Sequence, residues 1–143
     1  MMTLRTVRIS KDELLQIRKI YENVMSYACY GLFFKEGEVL GKNISEIAYK
    51  SSGGDREKYF ELAANLVAGR GWCEKIEFRE EDVFVEGSIE VEEGAGHTSC
   101  HLMRGIIKKI YEGIDGERYA CEEKECVSNG DEKCVFSLEK RGV

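Results

Sequence analysis

Three cysteines and one glutamate in the C-terminal third of the chain have a spacing that could place them around a single metal ion. Cys126 and Cys134 flank the segment Ser128-Asn129-Gly130-Asp131, a strong hairpin signal because Asn-Gly tolerates positive φ. A hairpin would bring the two thiols opposite each other, and Glu123 lies three residues before Cys126. Cys100 opens a predicted helix upstream of the hairpin, where the helix dipole favours a thiolate.

The chain contains six cysteines in 143 residues, and its N-terminal sequence lacks the apolar core of a signal peptide. We therefore expect metal binding or catalysis rather than a disulfide framework. Thiolates together with one carboxylate are acceptable ligands for a tetrahedral zinc ion. Spacing alone leaves three interpretations open: a metal site, buried thiols that act as small apolar residues, and a disulfide or redox pair.

Other residues near this cluster are weaker candidates. Cys121 could replace Glu123 as the fourth ligand, and His101 could contact the metal or its surroundings. Cys29 and Cys73 are predicted to be core residues. The sequence has no GxSxG motif, no P-loop, no GxGxxG motif and no HExxH pair. A metal with four protein ligands has no open position for a substrate, so we favour a structural site over an enzyme.

The elements that would position this cluster begin with helices. A capping-box pattern at Ser10 and Glu13 predicts a helix over 11–23. The apolar stretch 27–34 is predicted to be a strand or a buried loop, and 36–50 a second helix. Asp55 can cap a third helix that ends near Gly69.

Strands dominate the second half of the prediction. Apolar and polar residues alternate over 72–78 and 83–91, with a charged turn at 80–82. A helix follows over 99–112, and then strands over 118–127 and 133–138. The predicted fold is α+β, with N-terminal helices packed on a mostly antiparallel sheet, one crossing helix and a C-terminal zinc-binding hairpin. We expect residues 1–143 to form a single domain.

Composition narrows the classes of partner. The net charge is −6, and acidic chains are poor candidates for binding nucleic acid. Hydrophobic residues make up 43% and charged residues 34%, as in a globular protein, and no apolar run is long enough to span a membrane. We therefore expect a cytoplasmic protein with no nucleic-acid or membrane partner.

The cysteine motifs resemble the 4-vinyl reductase domain family. The shared pattern is a Cys-His-x-x-x-Gly helix start from Cys100 to Gly105, then Glu-x-x-Cys, a Gly-Asp turn and Cys-x-Phe ending at Phe136. The resemblance extends to sensor domains of aromatic-responsive transcription activators, in which three cysteines and one glutamate hold a zinc ion. Carried over to this chain, it implies the zinc ligands Cys100, Glu123, Cys126 and Cys134.

The resemblance also implies a function. Members of this family are thought to bind small, largely apolar molecules between their helices and their sheet. We therefore expect a stand-alone, sensor-like domain for a hydrophobic or aromatic ligand. The aromatic residues that could line its pocket are Tyr27, Tyr30, Phe33, Phe34, Trp72 and Phe84.

Two alternatives and an assembly state complete the expectations. One alternative is a protein-assembly module, since the family fold is similar to that of vesicle-tethering subunits. The other is an enzyme or accessory acting on a tetrapyrrole, although no nicotinamide or flavin motif is visible. We also expect a homodimer formed through the N-terminal helix within residues 1–25, because this helix has more apolar positions than one stripe needs and the related sensor domains associate in pairs.

Overall fold

The computed structural model describes residues 5–141, so residues 1–4 and 142–143 of the expected domain lie outside the described residues. Its α-helices are α1 (Lys11–Met25), α2 (Cys29–Ser52), α3 (Arg56–Gly69) and α4 (His101–Asp115). Its β-strands are β1 (Lys75–Phe78), β2 (Asp82–Glu86), β3 (Tyr119–Glu125) and β4 (Cys134–Lys140). The predicted α+β class is confirmed.

The four strands form one antiparallel sheet in the order β1-β2-β4-β3. The alternation of β2 turns Val83 and Val85 into the core, where both are fully buried. Cys134 lies opposite Val85 at the start of β4, and Glu123 lies opposite Phe136 across the β3–β4 pair. This register places two of the candidate metal ligands close to one end of the sheet.

Helices α2 and α4 pack against each other through glycines. A Cβ atom added to Gly37 would lie 1.9 Å from the carbonyl oxygen of Leu102, and one added to Gly105 would lie 2.2 Å from that of Phe34. Real Cβ atoms do not approach other atoms so closely, so neither position accepts a side chain. The backbones of the two helices are therefore in direct contact, as in small-residue helix pairs.

The prediction of a strand or buried loop over 27–34 was wrong. A 3₁₀ turn at Ser26–Ala28 leads directly into α2, which includes this stretch and continues to Ser52. A short apolar run cannot be assigned from periodicity alone, and here its buried residue Phe33 belongs to the same helical stripe as Gly37 and Gly41. The stripe was not visible as such because two of its members are glycines.

The predicted strand over 83–91 is also too long. Strand β2 ends at Glu86, because Gly87 adopts a φ of +66° that extended backbone does not allow. Residues 87–100 instead form an irregular segment that leads to α4. The alternation past Gly87 reflects side chains that are buried in this segment, such as Ser88 and Glu90.

The N-terminal helix begins as predicted. The Ser10 hydroxyl accepts a hydrogen bond from the backbone N–H of Glu13, and the Glu13 carboxylate accepts one from the N–H of Ser10, which confirms the capping box. Only Leu14 and Arg18 of α1 are buried. Among residues 5–141, no helix combines the length and apolar character needed to cross a bilayer.

Candidate metal centre

Three separate elements contribute to the cysteine cluster. Cys100 is the residue that precedes the first turn of α4, Cys126 follows the end of β3, and Cys134 begins β4. Glu123 lies on β3 just before an irregularity in the pairing between Glu123 and Glu125. Each ligand therefore comes from the end or the distortion of an element, where a side chain can be directed away from the regular pattern.

The four side chains meet in the interior. The ligand atoms of Cys100, Glu123, Cys126 and Cys134 all lie within 4.8 Å of one another. The Sγ atom of Cys134 is 3.9 Å from that of Cys100 and 3.9 Å from that of Cys126. Thiolates that bind one zinc ion tetrahedrally at about 2.3 Å would be about 3.8 Å apart. The arrangement therefore matches the size of a zinc site.

The loop between β3 and β4 holds Cys126 in place. The backbone N–H of Cys126 donates to the Asp131 carboxylate at 2.9 Å, and its carbonyl accepts from the N–H groups of Asn129 and Asp131. Gly130 has a φ of +95°, which the predicted Asn-Gly turn allows at its glycine. The turn is thus formed as expected, although residues 127–129 adopt a 3₁₀ conformation within it.

The electrostatics of the cluster favour a cation. Hydrogen bonds from the thiols of Cys100 and Cys134 lower the pKa of Cys126, whereas the same network and burial raise the pKa of Cys100 well above its usual value. Burial, followed by the nearby charge of Cys126, raises the pKa of Glu123 to about 8. The cluster therefore collects negative charge in a buried site, which a divalent metal ion would neutralise.

Glu123 also has an unused ligand atom. One carboxylate oxygen accepts a hydrogen bond from the backbone N–H of Cys100 at 3.1 Å. The other, Oε2, is buried and has no hydrogen-bond partner among residues 5–141. Buried polar atoms are rarely left unpartnered, so this oxygen fits the role of a metal ligand. Three sulfur atoms and one oxygen suit zinc.

The alternative ligands lie outside this group of four. Cys121 is buried on β3 opposite Leu138, and burial raises its pKa to about 12. His101 stacks on the ring of Tyr30 with ring centres 4.1 Å apart, and its Nε2 atom is buried without a hydrogen-bond partner in the described part of the chain. The structure thus brings together the four residues that the family resemblance implied.

The six predicted pocket residues do not meet in one cavity. Tyr30 and Phe33 border a cavity of about 20 Å³ beneath α1, which is room for one water molecule. The helical course of 27–34 leaves Tyr27 exposed, and Phe34 lies under the guanidinium of Arg104.

The other two predicted pocket residues belong to distant parts of the surface. Trp72 lines an open groove that it shares with Val7 and Ile9. Phe84 lies on the outer face of the sheet, next to Lys133, because the alternation of β2 directs it away from the core. A predicted strand and a predicted turn therefore could not indicate which way these rings point.

A larger hollow lies between the C-terminal parts of α2 and α4. This open groove has a volume of about 670 Å³ and includes Ser45, Tyr49 and Gly113 in its walls. Ser45 is buried, and its hydroxyl is 2.7 Å from that of Tyr59, which donates in turn to the carbonyl of Ile110. Tyr59 is fully buried, and burial raises its pKa to about 12. Sequence reasoning missed this hydroxyl pair, because α2 and α3 carry no motif that marks it.

Comparisons with known proteins place the cluster in a family context. Residues 82–140, which contain all four residues of the cluster, match the family model of the 4-vinyl reductase domain. No curated protein sequence matches this chain.

Two solved structures have a similar fold. One is the phenol-responsive sensory domain of the transcription activator PoxR with phenol, at a TM-score of 0.79 and 20% identity, covering 96% of this chain and 77% of that chain. The other is a vinyl-4-reductase family protein from Methanocaldococcus jannaschii, at a TM-score of 0.63 and 17% identity, covering 96% of this chain and 85% of that chain. At these identities the likeness establishes the fold, and the family match adds that residues 82–140 form a 4-vinyl reductase domain, as the cysteine motifs indicated.

Proposed function

We propose that this chain is a small-molecule-binding, sensor-like domain for a hydrophobic or aromatic ligand, stabilised by a structural zinc ion at Cys100, Glu123, Cys126 and Cys134. The observation that carries the ligand proposal is the buried hydroxyl pair of Ser45 and Tyr59 beneath the groove between α2 and α4. The fold shared with a phenol-responsive sensory domain supports the same class of function.

The groove has the properties of a binding site for a small ring. Ligand sites combine apolar walls with a few polar groups that fix orientation. Here Tyr49 and Ile114 supply apolar surface, and Gly113 leaves the floor open because a Cβ atom there would collide with the Ser45 hydroxyl. Since Tyr59 donates its single proton to Ile110, its oxygen and that of Ser45 remain available as acceptors for a ligand hydroxyl.

The zinc ion would act as a brace rather than as a catalyst. Four protein ligands complete a tetrahedral site and leave no position for a substrate. Through Cys100 the metal would join α4 to the β3–β4 hairpin, and α4 forms one wall of the groove. Ligand binding should therefore depend on the metal indirectly, through the position of α4.

A thermal-shift screen of phenols, fatty acids and tetrapyrroles against zinc-loaded protein tests the ligand proposal. A ligand at 100 times its Kd adds about 2.7 kcal/mol to the stability of the folded state. We expect the Tyr27→Phe variant, which removes an exposed hydroxyl, to retain this shift and Tyr59→Phe to reduce it. The proposal fails if no compound raises the Tm, or if product analysis shows conversion of a bound compound at a catalytic rate.

Assembly through α1 is the second candidate function. Ile17, Ile20 and Val24 recur at helical spacing on α1 and are 40%, 61% and 79% exposed, on the side away from the buried Leu14 and Arg18. A helix that presents such a stripe to solvent is suited to pack against another chain. We propose a second copy of this chain as the partner, in keeping with the homodimer expected from the N-terminal helix.

A further inference from the structure

We infer that Glu90 is a positioning residue for Cys100, and that Arg18 makes this positioning depend on the docking of α1. The inference rests on the proposed metal site and adds a connection between that site and the N-terminal helix. It links two parts of the molecule that no motif in the sequence connects.

Glu90 caps the first turn of α4. Cys100 occupies the N-cap position, but its side chain makes no capping hydrogen bond. The carboxylate of Glu90 instead accepts hydrogen bonds from the backbone N–H groups of Leu102 at 2.9 Å and Met103 at 3.1 Å. These are two of the N–H groups that a helix start leaves without partners, and a negative charge there is favoured by the helix dipole.

Arg18 is the counterion that makes this cap possible. Glu90 is 4% exposed, and a buried carboxylate needs a partner of opposite charge. The guanidinium of Arg18 lies 3.0 Å from the Glu90 carboxylate and 3.7 Å from the ring centre of Phe33. Arg18 is one of only two buried residues of α1, so α1 docks on the domain largely through this pair.

The capped turn leads directly into the metal cluster. Glu90 also accepts a hydrogen bond from the Ser99 hydroxyl through its backbone carbonyl, at 3.0 Å. Cys100 follows, and its backbone N–H donates to the candidate ligand Glu123. If Arg18 is lost, Glu90 can regain solvation only by leaving the helix start, which releases Cys100 from its position. Docking of α1 thereby controls how firmly the domain holds its metal.

The test compares Arg18→Met with Lys19→Met in the full chain. Both variants remove one cation of α1 that pairs with the segment before α4, but the Lys19–Glu92 pair is exposed, whereas the Arg18–Glu90 pair is buried. The measured quantity is the rate at which zinc passes to a chromophoric chelator at room temperature. We expect Arg18→Met to accelerate zinc loss about 10- to 100-fold, as for other residues that orient metal ligands. We expect Lys19→Met to stay within about twofold of the wild type, and Arg18→Lys to restore part of the effect.

Two further measurements keep the inference open to refutation. If Arg18→Met does not fold, Glu90→Gln replaces it, because this change keeps the shape of the side chain and removes its charge. Hydrogen exchange at the first turn of α4 in metal-free protein should be faster in Glu90→Gln than in the wild type. Equal zinc-loss rates in Arg18→Met and Lys19→Met, or unchanged exchange in Glu90→Gln, would overturn the inference. Wild-type protein without zinc would refute the proposed metal function, and hydrogen exchange alone would then decide whether Glu90 orders this turn.

Discussion

The contact between α2 and α4 predicts opposite effects for two alanine substitutions in the same helix. Gly37→Ala would place a Cβ atom 1.9 Å from the carbonyl oxygen of Leu102, whereas Gly31→Ala would meet nothing within 4 Å. A carbon atom normally approaches a carbonyl oxygen to about 3.3 Å at the closest, so α2 and α4 would have to separate by more than about 1 Å.

The magnitudes follow from overpacking and helix propensity. Forcing extra atoms into a packed interior costs about 1–3 kcal/mol, and the displacement needed here places Gly37→Ala at the upper end. Alanine in place of glycine returns up to about 1 kcal/mol of helix propensity in both variants. We therefore expect Gly37→Ala to lose about 2 kcal/mol of unfolding free energy and Gly31→Ala to gain a few tenths to about 1 kcal/mol.

Urea denaturation of the zinc-loaded variants, followed by circular dichroism, measures this difference. A loss of about 2 kcal/mol corresponds to a Tm lower by roughly 7 °C for a domain of this size. If Gly37→Ala were as stable as Gly31→Ala, the two helix backbones would not be in contact as described. The account of the groove wall formed by α4 would then have to be revised.

Three other outcomes are expected. Cys134→Ser should lower the Tm of protein expressed with zinc far more than Cys29→Ser, since only the former removes a ligand from the cluster; elemental analysis should find about one zinc per wild-type chain. Zinc affinity, measured by competition with a chelator, should fall as the pH falls, because Cys100 and Glu123 must lose protons to bind the metal. In metal-free protein the sign reverses: the pKa of Glu123 is raised to about 8, so its contribution to stability is present below its ordinary pKa and is lost as the pH rises through about 8. Sedimentation should show a dimer that Ile20→Gln weakens and Val39→Gln, an exposed apolar position on α2, does not.

Local chemistry made much of the fold predictable. The capping box at Ser10 and Glu13, the cap of α3 at Asp55 and the turn at Gly130 each depend on residues a few positions apart, and all three are present. The crossing helix was predicted over 99–112 and is observed as His101–Asp115, because its apolar stripe is continuous. These features need no information from distant parts of the chain.

The candidate metal cluster was also accessible from the sequence, for a related reason. Three of its four residues lie on one hairpin, so the turn itself brings Glu123, Cys126 and Cys134 near each other. Cys100 could be added only through the family resemblance, since nothing local relates the start of α4 to the hairpin. The structure supplies that relation by placing the backbone N–H of Cys100 on the Glu123 carboxylate.

The remaining features were decided by tertiary structure. The stretch 27–34 is helical because α2 must continue past it to place Gly37 against α4, and that requirement comes from a partner helix far along the chain. The aromatic residues were expected in one pocket, but helical geometry and the alternation of β2 direct their rings to different surfaces. The Arg18–Glu90 pair spans 72 positions of sequence. Spacing and propensity describe neighbours along the chain, whereas burial, counterions and close backbone contacts depend on which surfaces meet when the chain is folded.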